Sequence, residues 1–143
     1  MNIISFTIPV CPASLQFSGR RVMVKNGRPV FFKQKKASDW EKIVGWYANP
    51  HRPAAPFTGP LRMSVTFVLK RPISLNAKKY TRDRIPCPKR PDLDNLQKNL
   101  QDSVKGFWED DSQIVSLFLK KFYASIDETP KIEISIAQYE DEH

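Results

Sequence analysis

The sequence predicts an α+β fold with a single mixed β-sheet and two main helices packed on it. Segments at the strand period dominate the chain, two segments of helical period are inserted between them, and the layer logic then places the helices on one sheet face. At 143 residues, 41% of them hydrophobic and 27% charged, the chain is expected to form one domain over 1–143 with its own core, which excludes a wholly disordered protein.

Residues 2–8 place Ile4, Phe6 and Ile8 on one face at period two, and Pro9 and Pro12 end the strand. After a Pro-bounded loop, Asn26-Gly27 sits between two β-prone runs within 20–32. That pair suits a two-residue type I′ turn and predicts a hairpin. From 34 to 48, Ala37, Trp40, Ile43, Val44 and Tyr47 recur at helical spacing until Asn49-Pro50 stops the pattern. Residues 61–70 alternate, with Leu61, Met63, Val65, Phe67 and Leu69 on one face. Residues 71–91 lack periodicity and contain four prolines, so they read as a long loop, of the kind that is functional or disordered. A second helix over about 93–106 follows, then strands near 113–123 and 131–138, and a short acidic tail at 139–143.

The formal charge of +8 points to a polyanionic partner without choosing among nucleic-acid binders, nucleases and surface-active proteins. Dividing the chain is more informative. Residues 1–91 carry 18 Lys and Arg against Asp39, Glu41 and Asp83, a net of +15, while the remaining 52 residues carry 5 basic and 12 acidic side chains, a net of −7. A general polyanion binder has no use for a concentrated acidic half. Cys11 and Cys87 are far apart and fit no disulfide framework or zinc-ligand spacing. No run reaches 18 apolar residues, and the first residues lack a signal-peptide pattern, so a reduced, cytoplasmic protein with no membrane partner is expected.

Pro91 to Tyr123 is the informative stretch. On a helical wheel Leu93, Leu96, Leu100, Val104 and Phe107 share one side, while Asp94, Lys98 and Asp102 form an i, i+4, i+8 stripe nearly opposite. Asp92, just before the first apolar turn, is placed to cap the helix. Beyond Gly106, the run Phe107-Trp108-Glu109-Asp110-Asp111 leads into the next strand and is expected to return carboxylates toward the helix start. Carboxylates gathered at an exposed element end repel one another and suit a hard cation, Mg²⁺ taking one or two of them together with phosphate oxygens and waters. Such a site activates water and neutralises charge on a phosphodiester, Lys98 lies one turn beyond Asp94, and the basic loop upstream would hold the polyanion. The same residues also fit a bland reading: acids at a helix N-terminus favoured by the macrodipole, and a solvent-facing Asp94-Lys98-Asp102 ladder. By spacing alone Asp102 and Asp110 are surface acids, Phe107 and Trp108 are core, and His51 and His143 have no role.

Taken as an ordered set, Asp92-Leu93-Asp94-Asn95-Leu96-Gln97-Lys98, then Asp102, Phe107-Trp108, Asp110-Asp111 and Gln113-Ile114-Val115, resembles the RusA family of Holliday junction resolvases. Ile8-Pro9, Pro12-Ala13-Ser14 and Arg20 resemble that family's Pro-containing loop after its first strand, so the likeness covers most of the chain. The resemblance implies an α+β homodimer that binds four-way junction DNA in recombination and repair, at the nucleoid, and makes paired symmetric cuts using Mg²⁺ or Mn²⁺. No small-molecule cofactor is implied, and the cuts leave 5′ phosphates. Carried over by residue, Asp92, Asp94 and Asp111 hold the metal, Lys98 is the essential lysine, and Asp110 is a weaker candidate. Arg20, Lys78, Lys79, Arg82, Arg84, Lys89 and Arg90 are the expected DNA contacts. The basic segment is longer than in compact members, and Pro91 stands where some carry another basic residue. The alternatives are a non-catalytic DNA-binding or architectural module, and a related flap or fork nuclease.

Overall fold

A computed structural model describes residues 3–12, 20–25, 28–33 and 35–140. It contains β1 (Ile3–Ile8), β2 (Arg20–Lys25), β3 (Arg28–Lys33), α1 (Lys35–Ala48), β4 (Leu61–Leu69), β5 (Ile85–Pro86), α2 (Leu93–Ser103), β6 (Ile114–Tyr123) and β7 (Lys131–Gln138). Five strands form one mixed sheet in the order β1-β7-β4-β6-β5, and β2 and β3 form a separate two-stranded sheet. This is the α+β architecture the periodicities predict. The hairpin is present, Lys25 pairing with Arg28 across it, although Asn26 and Gly27 of the predicted turn lie outside the described residues, as do Ala13 and Ser14. Residues 141–143 of the acidic tail lie outside them too.

Register explains which side chains share a face. Met63, Val65 and Phe67 of β4 stand opposite Ile136, Ile134 and Ile132 of β7, which in turn stand opposite Ile4, Phe6 and Ile8 of β1. The two helices cover this apolar face, α1 through Trp40, Val44 and Ala48 and α2 through Leu96 and Leu100. Two sequence expectations shift here. Ile43, placed on the inner stripe of α1, is 48% exposed, and Ala48, one more turn along the Trp40-Val44 line, is buried instead. Helix α2 ends at Ser103, three residues early. Val104 adopts an extended conformation, its N–H closing the last turn on the Leu100 carbonyl, and Gly106 at φ 85° turns the chain so that Phe107 and Trp108 enter the core.

Strands β4 and β6 are parallel. A parallel pair requires a crossover connection, and α2 is part of it, running back along the sheet from the C-terminal end of β4 to the N-terminal end of β6. The segment before α2 therefore sits at one end of the sheet and the segment after it at the other. The connecting segment 71–91 is built around Arg71, a buried cation that composition alone does not single out. Its guanidinium donates to the carbonyls of Leu75, Thr81, Asp83 and Ala124. Within this segment a short 3₁₀ turn spans Ile73–Asn76, and β5 joins the end of β6.

Candidate active site

Asp92 is the N-cap residue of α2, in extended conformation, and its main-chain oxygen accepts from Leu96 N–H at 3.1 Å. Its carboxylate makes no capping hydrogen bond, contrary to the expectation that it would accept helix N–H groups. Asp92, Asp94 and Lys98 are all exposed, on the first turns of a helix whose opposite face is buried. Among the described residues neither Asp94 nor Asp102 pairs with Lys98, so the solvent-facing ladder of ion pairs is not formed. Two free carboxylates two residues apart and an ammonium one turn away thus share the N-terminal end of α2, next to the C-terminal ends of β4 and β6.

Asp111 lies elsewhere. Trp108, buried and bridged to Phe57, donates its indole N–H to Asp111 Oδ1 at 2.7 Å and so orients a carboxylate that is otherwise exposed. Asp110 caps the following 3₁₀ turn by accepting from Ser112 N–H at 2.8 Å, which holds its carboxyl below the usual carboxylate range. Gln113 locks the turn in place, its side-chain oxygen accepting from the N–H groups of Glu109 and Asp110 while its amide donates to the carbonyls of Phe57 and Gly59. Tryptophan, Asp110 and Gln113 of the downstream motif are thereby a cradle for Asp111. The cradle stands before Ile114, whereas Pro91 is tied to Lys121, seven residues further along β6. At about 3.3 Å per residue that is roughly 23 Å of strand. Within one chain the return of Asp111 to the helix start is therefore not seen, and no group of three potential metal ligands occurs among the described residues. The crossover topology is the cause.

Comparison with known proteins bears on these two half-motifs. Residues 11–137 match the family model described as Endodeoxyribonuclease RusA. The chain belongs to the RusA family. It is 31% identical over 135 residues to the protein of Lactococcus phage r1t named crossover junction endodeoxyribonuclease rusA, covering 93% of this chain and 95% of that one. It is also 30% identical over 145 residues to Bacillus subtilis (strain 168) "Uncharacterized protein YqaN", at 96% and 98% coverage.

The basic segment before Asp92 carries most of the expected DNA contacts, and the structure divides its cations into two kinds. Lys78, Lys79, Lys89 and Arg90 are exposed, and so is Arg82, which among the described residues is bridged to the exposed Asp127 at 3.6 Å. Arg84, also among the expected DNA contacts, is different in being paired within the chain. Its guanidinium donates to both oxygens of Glu128 and to Glu133 at 2.9 Å, which raises its own pKa and holds the Glu128 carboxyl down to about 2, with Ser125 N–H and Lys131 assisting. That charge is already neutralised and serves to pin the loop to β7. Arg20 opens β2, and its side chain lies outside the described residues.

Two residues have roles that the sequence pattern does not announce. Arg71, by composition one more loop cation, is instead the loop's internal scaffold. Lys121 does carry a signal in its position: in β6 it shares the parity of Leu117 and Leu119, the parity that pairs with the buried face of β4.

Proposed function

We propose that this protein is a divalent-metal-dependent endodeoxyribonuclease that resolves four-way DNA junctions by paired, symmetric cuts. The observation that carries this is the pair Asp92 and Asp94 with Lys98, exposed and without an ion-pair partner among the described residues at the N-terminal turns of α2, directly after a segment presenting five exposed cations. Two carboxylates with free oxygens fit Mg²⁺, which takes one or two protein carboxylates and fills the rest of its octahedron with water and phosphate. When bound, the cation would supply charge neutralisation and a more acidic water. The chain's own residues do the remaining work. Lys78, Lys79, Arg82, Lys89 and Arg90 hold phosphates, Lys98 offers a positive charge one turn from Asp94, and the Trp108 hydrogen bond keeps Asp111 in one orientation.

Asp111 joins Asp92 and Asp94 through a second copy of the chain. Residues 114–120 of β6 pair with β4 on one side, while β5 reaches only Phe122 and Tyr123 on the other, so among the described residues a stretch of edge has no partner strand. Val115, Leu117 and Phe118 on that stretch are 58%, 41% and 63% exposed, an apolar edge of the kind proteins otherwise protect. Antiparallel pairing of two such edges about a two-fold axis near Leu117 sets Ile114 against Lys120 of the partner subunit. Asp111 of each chain then falls at the end of β6 where the other's Pro91 and Asp92 are held. A C₂ dimer of this kind has two equivalent composite sites, which is what two matched incisions require.

The deciding experiment is incubation of the purified protein with a synthetic four-way junction and Mg²⁺, with product ends mapped on all four strands. Symmetric paired cuts with 5′ phosphates are expected, lost in Asp92→Asn. Retarded but uncut DNA would assign a binding module, and cuts on flaps or forks alone would assign the related nuclease.

A further inference from the structure

Lys121 makes three hydrogen bonds to one short segment. Its main-chain oxygen accepts from Cys87 N–H at 3.1 Å, and its ammonium donates to the carbonyls of Lys89 at 2.6 Å and Pro91 at 2.7 Å. Cys87 Sγ adds a longer bond to the same Lys89 carbonyl at 3.7 Å and Pro91 is buried, but the two ammonium bonds are the ones that run directly from the sheet to 89 and 91. The next residue is Asp92, and Asp94 comes two further on. Since the Asp92 carboxylate makes no capping bond of its own, its position is set by the backbone on either side, residues 89–91 before it and α2 after it, where its main-chain oxygen accepts from Leu96 N–H.

The placement of this lysine is unusual for a merely structural one. It projects from the same side of β6 as its register partner in β4, Phe67, which is fully buried. A charged side chain on that parity costs desolvation, and of the two carbonyls it satisfies one belongs to exposed Lys89, where water could serve as donor, and the other to buried Pro91. What the ammonium adds over water is fixity: two convergent acceptors two residues apart leave the backbone between them one arrangement. Groups that orient the ligands of a metal site typically govern its affinity or activity by ten- to a hundredfold, and misplacement by about 1 Å has a similar effect.

We propose that Lys121 is a positioning residue that holds residues 89–91 so that Asp92 and Asp94 present their carboxylates together to a divalent cation. This rests on the assignment of those two aspartates as cation ligands. Lys121 acts on the site through the backbone and is assigned no contact with substrate.

The test compares wild type with Lys121→Met and Lys121→Arg in three measurements: Mn²⁺ binding without DNA by electron paramagnetic resonance, junction affinity in Ca²⁺, and single-turnover cutting in Mg²⁺. Lys121→Met is expected to bind Mn²⁺ about tenfold more weakly, to cut roughly ten- to a hundredfold more slowly, and to keep junction affinity within about twofold. Lys121→Arg, which still donates to two acceptors, should recover most of both losses. A Met variant with wild-type Mn²⁺ affinity and cutting rate, or with only a lower unfolding temperature, overturns the proposal. Should that variant not fold, Lys121→Gln, whose shorter amide cannot span both carbonyls, takes its place with the same overturning result. A wild type that binds Mn²⁺ through Asp92 and Asp94, weakened by Lys121→Met, yet cuts no junction, sinks the junction-cutting function and supports the positioning role. Absence of Asp92-dependent Mn²⁺ binding overturns both.

Discussion

Replacing Glu128 by Gln tests how the basic segment is anchored. The Glu128 carboxyl is held at about 2 against an ordinary 4.5, chiefly by the hydrogen bonds of Arg84. At about 1.36 kcal/mol per pKa unit, that difference sets a ceiling near 3 kcal/mol. The side chains of Arg84 and Glu128 are 29% and 14% exposed, so solvent screening lowers the expected loss to about 2 kcal/mol, or about 4–8 °C in Tm for a chain of this size. The sign comes from proton binding. Between about pH 2 and 4.5 the unfolded chain binds more protons at this site than the folded one, so the contribution is complete above about pH 5 and fades as pH falls toward 2. Urea unfolding of wild type and Glu128→Gln at pH 7, 4 and 2.5 measures it, and a stability difference that stays constant over this range would refute the ion-pair explanation. The companion variant Arg84→Gln should lose stability while leaving unchanged the slope of log K against log salt for junction binding. A slope reduced by about one would instead make Arg84 a phosphate contact.

Four further outcomes are expected. Asp92→Asn and Asp94→Asn should cut at least ~100-fold more slowly in a mapped junction assay, with junction binding intact or tighter because repulsion between carboxylate and phosphate is relieved. Lys78→Ala combined with Lys79→Ala, both exposed, should weaken binding of every DNA tested and reduce the salt slope by about one for each phosphate no longer neutralised, with stability within about 0.5 kcal/mol of wild type by thermal unfolding. Phe118→Lys should keep the fold by circular dichroism, sediment as a monomer and lose cutting; a variant that is monomeric and fully active would sink the composite site. Mixing inactive Asp94→Asn with inactive Asp111→Asn should restore nicking, because each mixed dimer holds one complete site, and nicks should predominate over paired cuts.

Local pattern was legible in the sequence where a single element decides the outcome. Strict alternation in 61–69 and 131–138 needs only a sheet with one apolar face, and both strands form with the expected inward residues. The unread features all depend on contacts between distant segments. Nothing in α1 itself says that Ile43 lacks a partner across the core. The same holds for Arg84, whose fate depends on Glu128 and Glu133, more than 40 residues away, so composition makes it one more loop cation. Asp92 and Asp94 were readable because helix N-terminus, spacing and exposure are local properties. The location of Asp111 was not, since it turns on whether β4 and β6 are parallel, and periodicity is silent about strand direction.

That strand direction reshapes the meaning of the charge division at residue 91. Had β6 been antiparallel to β4, the segment after α2 could have returned to the helix start, and one chain could have gathered its own carboxylates. Parallel pairing separates the acids beyond the basic segment into two sets, one at each end of β6, each held by its own device: the Lys121 clamp before Asp92 and the Trp108 hydrogen bond to Asp111. Among the described residues neither set alone gathers three potential ligands. An enzyme arranged this way would be inactive as a free subunit and acquire its sites in matched pairs on dimerisation. For a nuclease acting on a four-way junction this is useful physics, because a single unpaired incision leaves the two duplexes joined. In the proposed dimer, coupling assembly of both sites to one edge-to-edge contact would make the paired cut the default outcome and would place the controlling variable in the apolar residues 115, 117 and 118 of β6.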